Sequence, residues 1–554
     1  ELLQEINKEG TTSRQIQRIK RDLSLKHRQK KIPTHYEILT KATDQERSRL
    51  QSKLLGKPTR TISGVVPVAI MTKPIACRHG KCIYCPGGPD SIFGDVPQSY
   101  TGREPASMRA MRNNYDSYLQ VFNRLEQYVL LGHRCDKVDL IIMGGTFPSF
   151  DLNYQDEFTT YAYKAMNDFS ALFFTDGKIN YQTFYSFFEL PGDVHDEERK
   201  ERLHHKLLSL KGTATLEQEQ LTNETSSVRC IGLTIETKPD WAFLEHANQM
   251  LRLGCTRVEL GVQHTDEEIT RFTNRGHTVM DTRKSIAILR DLGLKLNFHV
   301  MPGLPKSNRE MDIAMMTQLV TDPDYQPDMM KIYPCLVMPG TPLHELYQRG
   351  QFIPIDAEQA ADIITEFKRS VPEWLRIMRV QRDIPTYRTV AGVNHTNFRQ
   401  TVHEVLRQKG ITCRCFRCRE PKGKEIDMKN MEIVVRSYDA ADGKEYFISF
   451  EDKNQTTIAG FCRMRFPPRS LRPEITTNSA LIRELHIFGQ ATALGEEGIV
   501  QHRGIGTQLL QKAEELAREQ GKRKMVVIAG VGVREYYIQK HGYQKEGAYV
   551  VKEI

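Results

Sequence analysis

Short apolar runs alternate with helical patterns between residues 62 and 340, and this alternation narrows the possible folds more than any other feature. "ISGVVPVAIM" (62–71), "KVDLIIMGG" (137–145), "VRCIGLTIET" (228–237), "TRVELGVQH" (256–264), "LKLNFHVMPG" (294–303) and "MMKIYPCLVMPG" (329–340) each read as a buried strand. Helical periodicity fills 241–253, 281–292 and 308–321 between them. Strand alternating with helix predicts an α/β fold with a parallel sheet, open or closed as a barrel. Active groups in such folds collect at the C-terminal ends of the strands. Gly144-Gly145-Thr146, Lys238, Gln263-His264 and Pro302-Gly303 all lie just past strand runs. The stretch 151–226 is too long for one crossover helix and is predicted to be an insertion of several helices.

The first run leads straight into "CRHGKCIYCPGG" (77–88), read as a strand–loop–helix segment that carries Cys77, Cys82 and Cys85. Three thiolates can ligate three irons of a [4Fe–4S] cluster and leave the fourth iron open. This stretch resembles the cysteine loop of radical S-adenosylmethionine (SAM) enzymes, in which the open iron takes the amino and carboxylate groups of SAM. Their usual spacing is C-x3-C-x2-C, and here it is C-x4-C-x2-C. The competing reading is a zinc site completed by a distant ligand. The Gly144, Gly145, Thr146 turn suits a SAM site, because glycine lets backbone approach a ligand closely.

The texture changes after about residue 385. "CRCFRCRE" (413–420) is short and basic, and Cys413, Cys415 and Cys418 have the tight spacing of a structural zinc site. Only three ligands are local, so Cys335, His395 or His403 would have to supply the fourth. "MEIVVRSYD", "EYFISFED", "TIAGFCRMRF" and "ALIRELHIFG" then read as strands, followed by a helix after Gly504 and the strand "KMVVIAG". This is a separate α+β domain. "QHRGIGTQLL" (501–510) resembles the Q/R-x-x-G-x-G/A turn of GNAT acetyltransferases. Backbone N–H groups at the mouth of a helix can hold a pyrophosphate. The resemblance implies acetyl-CoA on Gln501, His502, Arg503, Gly504, Ile505, Gly506 and Thr507. It implies backbone contacts to the acetyl arm from Glu484, Leu485 and His486. Tyr536 and Tyr537 would sit near the thioester, on a helix in "VREYYIQKHGY"; core packing is the plain alternative for either one.

The chain has 554 residues, a mean hydropathy of −0.50 and no apolar run long enough for a membrane span. It begins with Glu rather than Met, as a trimmed or processed chain would. Its 11 cysteines are an odd number and six fall in two clusters, which indicates metal chemistry in a reducing, cytoplasmic setting rather than disulfides. Most of the net charge of +9 lies in residues 1–60, which hold 15 Lys/Arg against 7 Asp/Glu. "RQIQRIKRDLSLKHRQKK" (14–31) is its centre and is expected to contact polyanion phosphates; a solvated helix face is the alternative.

Taken together, "CIYCPGGPDS", "QSYTGREPASMRAMRNNYD", "GLTIETKPD", "VELGVQ", "KIYP", "VQRDIP" and "GVGVREYY" closely resemble the family of Elongator catalytic subunits, over roughly residues 15–554. The resemblance implies a basic tRNA-binding segment (1–60), a radical SAM partial (β/α) barrel (61–385) with its insertion near 151–226, a linker with a zinc site (386–428) and a GNAT domain (429–554). It implies an acyltransferase that uses acetyl-CoA and a SAM-derived radical to put a carboxymethyl group on carbon 5 of the wobble uridine of tRNA. Lys238 and Lys331 are expected to bind an acetyl or uridine oxygen, against the alternative of structural ion pairs. Other Elongator subunits or self-association are the partners implied besides tRNA, and no membrane. Two further readings compete: a protein lysine acetyltransferase using the C-terminal domain alone, and a tRNA-binding scaffold with a spent radical site.

Overall fold

The fold is taken from a computed structural model, which describes residues 1–8, 11–29, 32–43, 46, 50, 54, 63–192, 196–395, 397–422, 426–488 and 504–554. Two seven-stranded sheets dominate it. The first holds β1 (Val65–Met71), β2 (Lys137–Met143), β3 (Arg229–Thr237), β4 (Cys255–Gln263), β5 (Lys295–Val300), β6 (Met329–Ile332) and β7 (Arg376–Arg379). They lie side by side in chain order and every pairing is parallel. Among the described residues β1 and β7 do not pair, so the sheet is a partial barrel. Helices Leu244–Arg252, Val279–Asp291 and Arg309–Thr321 cover its outside, close to the predicted spans. Among the described residues the insertion forms four helices, Leu152–Phe173, Tyr181–Phe187, Glu197–Lys211 and Leu216–Thr225, with a small hairpin of Phe174–Thr175 and Lys178–Ile179 between the first two. Their apolar faces join the main core, through Phe169, Phe173 and Phe184 among others.

The second sheet contains β8 (Met431–Ala440), β9 (Gly443–Asp452), β10 (Ile458–Phe466), β11 (Ser479–Ile487), β12 (Lys524–Val527), β13 (Gln544–Glu546) and β14 (Tyr549–Glu553). Its order is β8-β9-β10-β11-β12-β14-β13, antiparallel except between β11 and β12. Those two strands pair from Ser479 to Ile482, after which β11 runs on with no strand partner on that side among the described residues. The resulting gap opens beside the helix Ile505–Glu519, whose amphipathic face packs on the sheet through Leu509, Leu510 and Ala513.

A buried ionic joint locks the two sheets together. Arg483 donates to both Asp328 oxygens (2.8 and 2.6 Å), Arg290 to Glu445 (3.0 Å) and Arg465 to Asp291 (2.9 Å). All six side chains are essentially inaccessible. Removing one partner of such a set would strand a buried charge, at a cost of about 3–5 kcal/mol. The joint therefore fixes where the second sheet sits against the barrel.

At the N-terminus, Ile6, Ile16, Ile38, Leu39, Leu50 and Leu54 form a small core of their own. The helix Ser13–Lys26 starts with a capping box between Thr12 and Gln15. Not all of the basic run is free to meet a polyanion. Lys20 is buried, Lys26 pairs with Glu1, and Arg18 and Arg21, exposed like Lys26, both lie against Asp22. Lys30 and Lys31 lie outside the described residues. Among the described residues no helix is long and apolar enough to cross a membrane.

Candidate active site

One cavity of about 2810 Å³ runs through the barrel and into the gap of the second sheet. Small-molecule sites usually enclose about 300–1,000 Å³, so this one has room for several ligands at once. Cys77, Cys82 and Cys85 line it, as do Lys238, Lys331, Glu484, Leu485, His486, Gly504–Thr507, Tyr536 and Tyr537.

The first cysteine set sits on the loop that follows β1. A short hairpin, Gly88–Ser91 with Gly94–Val96, separates it from the helix Pro105–Arg112, where the sequence reading had the loop run directly into a helix. "GPDS" and "GDV" carry no apolar alternation, so this hairpin gave no strand signal. N–H donors converge on the sulfurs. Arg275 Nη1 donates to Cys82 Sγ at 3.2 Å and the Ser99 backbone N–H to Cys85 Sγ at 3.2 Å. Thr146 Oγ1 lies 3.8 Å from Cys77 Sγ. Burial pushes the Cys77 thiol up, and the Cys85 thiol up to about 11. Donors of this kind favour sulfur that carries negative charge, as it does in a thiolate-ligated cluster. The three sulfurs do not close to within 4.8 Å of one another, unlike those of the second set. One zinc ion, with Zn–S of about 2.3 Å, would draw them closer than that. The spacing and the donor set thus fit a cluster.

Gly144 and Gly145 follow β2 with φ of 117° and 98°. A Cβ on Gly144 would stand 2.4 Å from Thr72 Oγ1, whose hydroxyl donates to the Gly144 carbonyl at 3.0 Å. Only glycine fits there, and it holds Thr146 beside the cysteine loop. Lys238 is buried 3.4 Å from Asp240, with burial and then Arg275 lowering its pKa. Lys331 pairs with Glu259. Both lysines therefore have ion-pair partners, and both face the cavity.

At the other end, Gly504 caps the helix Ile505–Glu519 in the left-handed conformation, with φ of 77°. Tyr536 and Tyr537 share the helix Arg534–His541. A Cβ on Gly506 would lie 3.3 Å from the Tyr536 hydroxyl, so Tyr536 stands over the glycine turn. Tyr537 is buried in the second core. His486 lies between the rings of Phe461 and Phe488, and burial pushes it down to about 4. Gln501, His502 and Arg503 lie outside the described residues.

Cys413, Cys415 and Cys418 do close on one another: their sulfurs all lie within 4.8 Å, and Cys415 and Cys418 are 3.5 Å apart. They could hold a metal ion. Lys368 Nζ donates to Cys413 Sγ at 3.3 Å. Cys335 packs with Cys82 and Cys85 instead, which removes it as a fourth ligand. His395 is exposed, and His403 lies within electrostatic reach of Cys415.

The sequence reading missed Arg275, Tyr100, Glu236, Glu259 and His299, all of which line the cavity. The signal for three of them was present. Glu236, Glu259 and His299 interrupt apolar strands at inward positions, where a packed barrel would hold Val or Leu.

Comparison with known proteins agrees with this geometry. Residues 74–319 match the radical SAM superfamily, 327–408 its C-terminal domain, 411–543 the acetyltransferase (GNAT) family and 1–62 the ELP3 N-terminal domain. A tRNA uridine(34) acetyltransferase of Methanocaldococcus infernus is 44% identical over 532 residues, 94% of this chain and 92% of that one. The chain belongs to the Elp3 family. Elongator complex protein 3 of Saccharomyces cerevisiae is 37% identical, over 96% of this chain and 90% of that one. The solved structure of the M. infernus Elp3 with an N-terminal deletion superposes with a TM-score of 0.72 at 39% identity, covering 89% of this chain and all of that one. A radical SAM domain implies a [4Fe–4S] cluster and SAM, and a GNAT domain implies acetyl-CoA.

Proposed function

We propose that the chain is a tRNA-modifying acyltransferase that builds a carboxymethyl group on carbon 5 of the wobble uridine, from acetyl-CoA, a SAM-derived radical and water, which hydrolyses the resulting thioester and releases CoA. The observation that carries this reading is the single cavity joining the cysteine loop to the glycine turn. The names of the relatives support the substrate. Cys77, Cys82 and Cys85 would hold the [4Fe–4S] cluster, with Gly144, Gly145 and Thr146 bordering SAM. When bound, cluster and SAM supply a radical that can remove a hydrogen atom from a methyl group. Uracil is electron-rich at C5 and electrophilic at C6, so an enolate of acetyl-CoA would not attack C5, whereas a carbon radical beside the thioester carbonyl can add there.

Gly504 and Gly506 would seat the acetyl-CoA pyrophosphate at the helix N-terminus. Backbone groups of Glu484, Leu485 and His486 would guide the acetyl arm through the gap between β11 and β12. Tyr536 is the better placed of the two tyrosines to meet the ligand, and Tyr537 chiefly packs the wall behind it. Lys238 and Lys331 offer ammonium groups to acetyl or uracil oxygens. The uridine must enter unstacked, as an anticodon loop allows, while exposed residues such as Arg18 and Arg21 meet tRNA phosphates. Cys413, Cys415 and Cys418 would hold a structural zinc ion. The setting is cytoplasmic, and other Elongator subunits or a second copy are the protein partners.

Anaerobic reconstitution with SAM, acetyl-CoA and tRNA, followed by nucleoside mass spectrometry, tests the reading. Carboxymethyluridine at the wobble position is the expected product. Acetylated protein lysines without modified tRNA would favour the lysine acetyltransferase instead.

A further inference from the structure

The middle of the barrel carries a polar set that neither the cysteines nor the glycine turn explains. Glu236 on β3 and Glu259 on β4 are neighbours across the strand pair, and His299 on β5 completes a group whose ligand atoms lie within 4.8 Å of one another. A metal ion is not required there, because Lys331 already sets its ammonium on Glu259. The two carboxylates differ in what they have left to give. Glu259 is engaged at both oxygens: Asn297 Nδ2 donates to Oε1 at 3.0 Å, and His299 (2.9 Å) and Lys331 both meet Oε2. Glu236 has one hydrogen bond among the described residues, from the Tyr100 hydroxyl at 3.1 Å, and it faces the cavity. It is thus the carboxylate with accepting capacity to spare, between the cysteine loop and the acetyl-CoA end.

Carbon–carbon bond formation at C5 leaves a chemical task that the residues described so far do not perform. The new bond uses the unpaired electron of the acetyl carbon and one electron of the uracil C5=C6 π bond. The other π electron stays on C6, and C5 now carries both the substituent and a hydrogen. To restore the double bond, C5 must lose that hydrogen as a proton. Of the three electrons then shared by C5 and C6, two form the π bond and one passes to a one-electron acceptor of the iron–sulfur class. We propose that Glu236 is the base that takes the C5 proton, while Lys331 binds O4 of the same uracil. This rests on the tRNA reading above.

The surroundings suit both roles. Burial, and then Glu259, push the Glu236 carboxyl up to about 7, while Lys331, Tyr100 and Arg382 pull it back. A base of that strength is half deprotonated near neutral pH, where proton transfer is most effective. Burial works against the Lys331 ammonium, but Glu259, Tyr333 and Glu236 more than offset it, so Lys331 stays charged. His299, pushed down to about 4 by burial and Lys331, adds no charge. The C5 hydrogen lies next to the C4 carbonyl, so negative charge that develops on O4 as the proton leaves meets a fixed ammonium.

The test uses the reconstituted full chain with tRNA, SAM and acetyl-CoA, and compares wild type with Glu236→Gln and Glu236→Asp. The ratio of carboxymethyluridine to 5′-deoxyadenosine should fall by about 100-fold or more in Glu236→Gln, and part of it should return in Glu236→Asp. The wild-type pH–rate profile should carry an acid limb near pH 7 that the Gln variant lacks. Infrared pH-difference spectra of the protein alone should show a carboxyl titrating in the same range, absent from Glu236→Gln. An unchanged ratio, an equal loss of 5′-deoxyadenosine and product, or a titration that persists in the variant would overturn the assignment. Wild-type protein that cleaves SAM yet leaves tRNA unmodified would instead overturn the tRNA reading, and the role of Glu236 with it.

Discussion

The two cysteine sets share a residue type and their final C-x2-C step, yet they occupy opposite environments. Cys77, Cys82 and Cys85 stand apart on a loop at the wall of a large cavity, with Arg275 and a backbone N–H turned toward their sulfurs. Cys413, Cys415 and Cys418 touch one another where the two sheets meet. Cys413 and Cys415 belong to the barrel's core, while their neighbour Phe416 packs on Phe461 of the second sheet at 5.0 Å. Arg419, just beyond, donates to Glu451 at 2.7 Å. Spread sulfurs beside open space suit a cluster that must meet a substrate. Sulfurs drawn together at a seam suit an ion that holds two pieces of chain. The tighter spacing of the second set points toward a single ion, and what lies around each set completes the distinction.

Replacing a cysteine in each set would break the comparison most sharply. Cys77→Ser should abolish the broad visible iron–sulfur absorbance and SAM cleavage together while leaving the unfolding midpoint of the apoprotein nearly unchanged. Cys415→Ser should do the reverse, costing a few kcal/mol of stability and its bound metal, with the visible absorbance retained. Metal analysis and thermal unfolding of the two variants check this. Equal effects from both would mean that the sets share one role.

A smaller change probes the far end of the cavity without touching either set. Gly506→Glu puts a side chain toward the Tyr536 hydroxyl and a carboxylate against the ligand's pyrophosphate. Acetyl-CoA affinity, measured by calorimetry, should fall by at least about tenfold, or 1.4 kcal/mol. The iron–sulfur absorbance should not move.

Much of this architecture was legible because apolar runs bounded by turns are strong signals. The strands of the barrel begin and end within a few residues of the runs that predicted them, apart from the long final one. The run 329–340 continues past β6, which ends at Ile332. β7 was missed because "RIMR" is four residues with a charge at either end, and β13 and β14 because they are short and half polar. Lys331 was readable as a site residue, but its partner Glu259 lies 72 residues away, and Arg275 lies 193 residues from Cys82. Only the assembly of the parallel sheet brings those pairs together. The basic N-terminal run misled in part, since charge alone does not show that Lys20 turns inward.

A pH series separates the stability of the fold from any contribution of the second cysteine set. Burial holds His299 and His486 at about 4, below their ordinary value of 6.5. Between those two values the unfolded chain binds more protons at these histidines than the folded one, so their contribution to stability falls as the pH drops from 6.5 to 4. Glu236, held up at about 7, works in the opposite direction above its ordinary value of 4.5. Each histidine contributes up to about 1.4 kcal/mol per pH unit in that window. Urea unfolding of the Cys415→Ser protein, in which a metal on the second cysteine set could no longer add its own acid response, should retain this slope.

The central claim is that the cysteine loop and the glycine turn serve one reaction through one cavity. Acetyl-CoA labelled with carbon-13 in the acetyl group tests it most directly, under anaerobic, reducing conditions with SAM and tRNA present. The account predicts that both labelled carbons appear on the wobble uridine, joined to C5 by a carbon–carbon bond, and that Cys77→Ser and Gly506→Glu each diminish them. Label found solely on protein lysines, with the uridine unmodified, would contradict it.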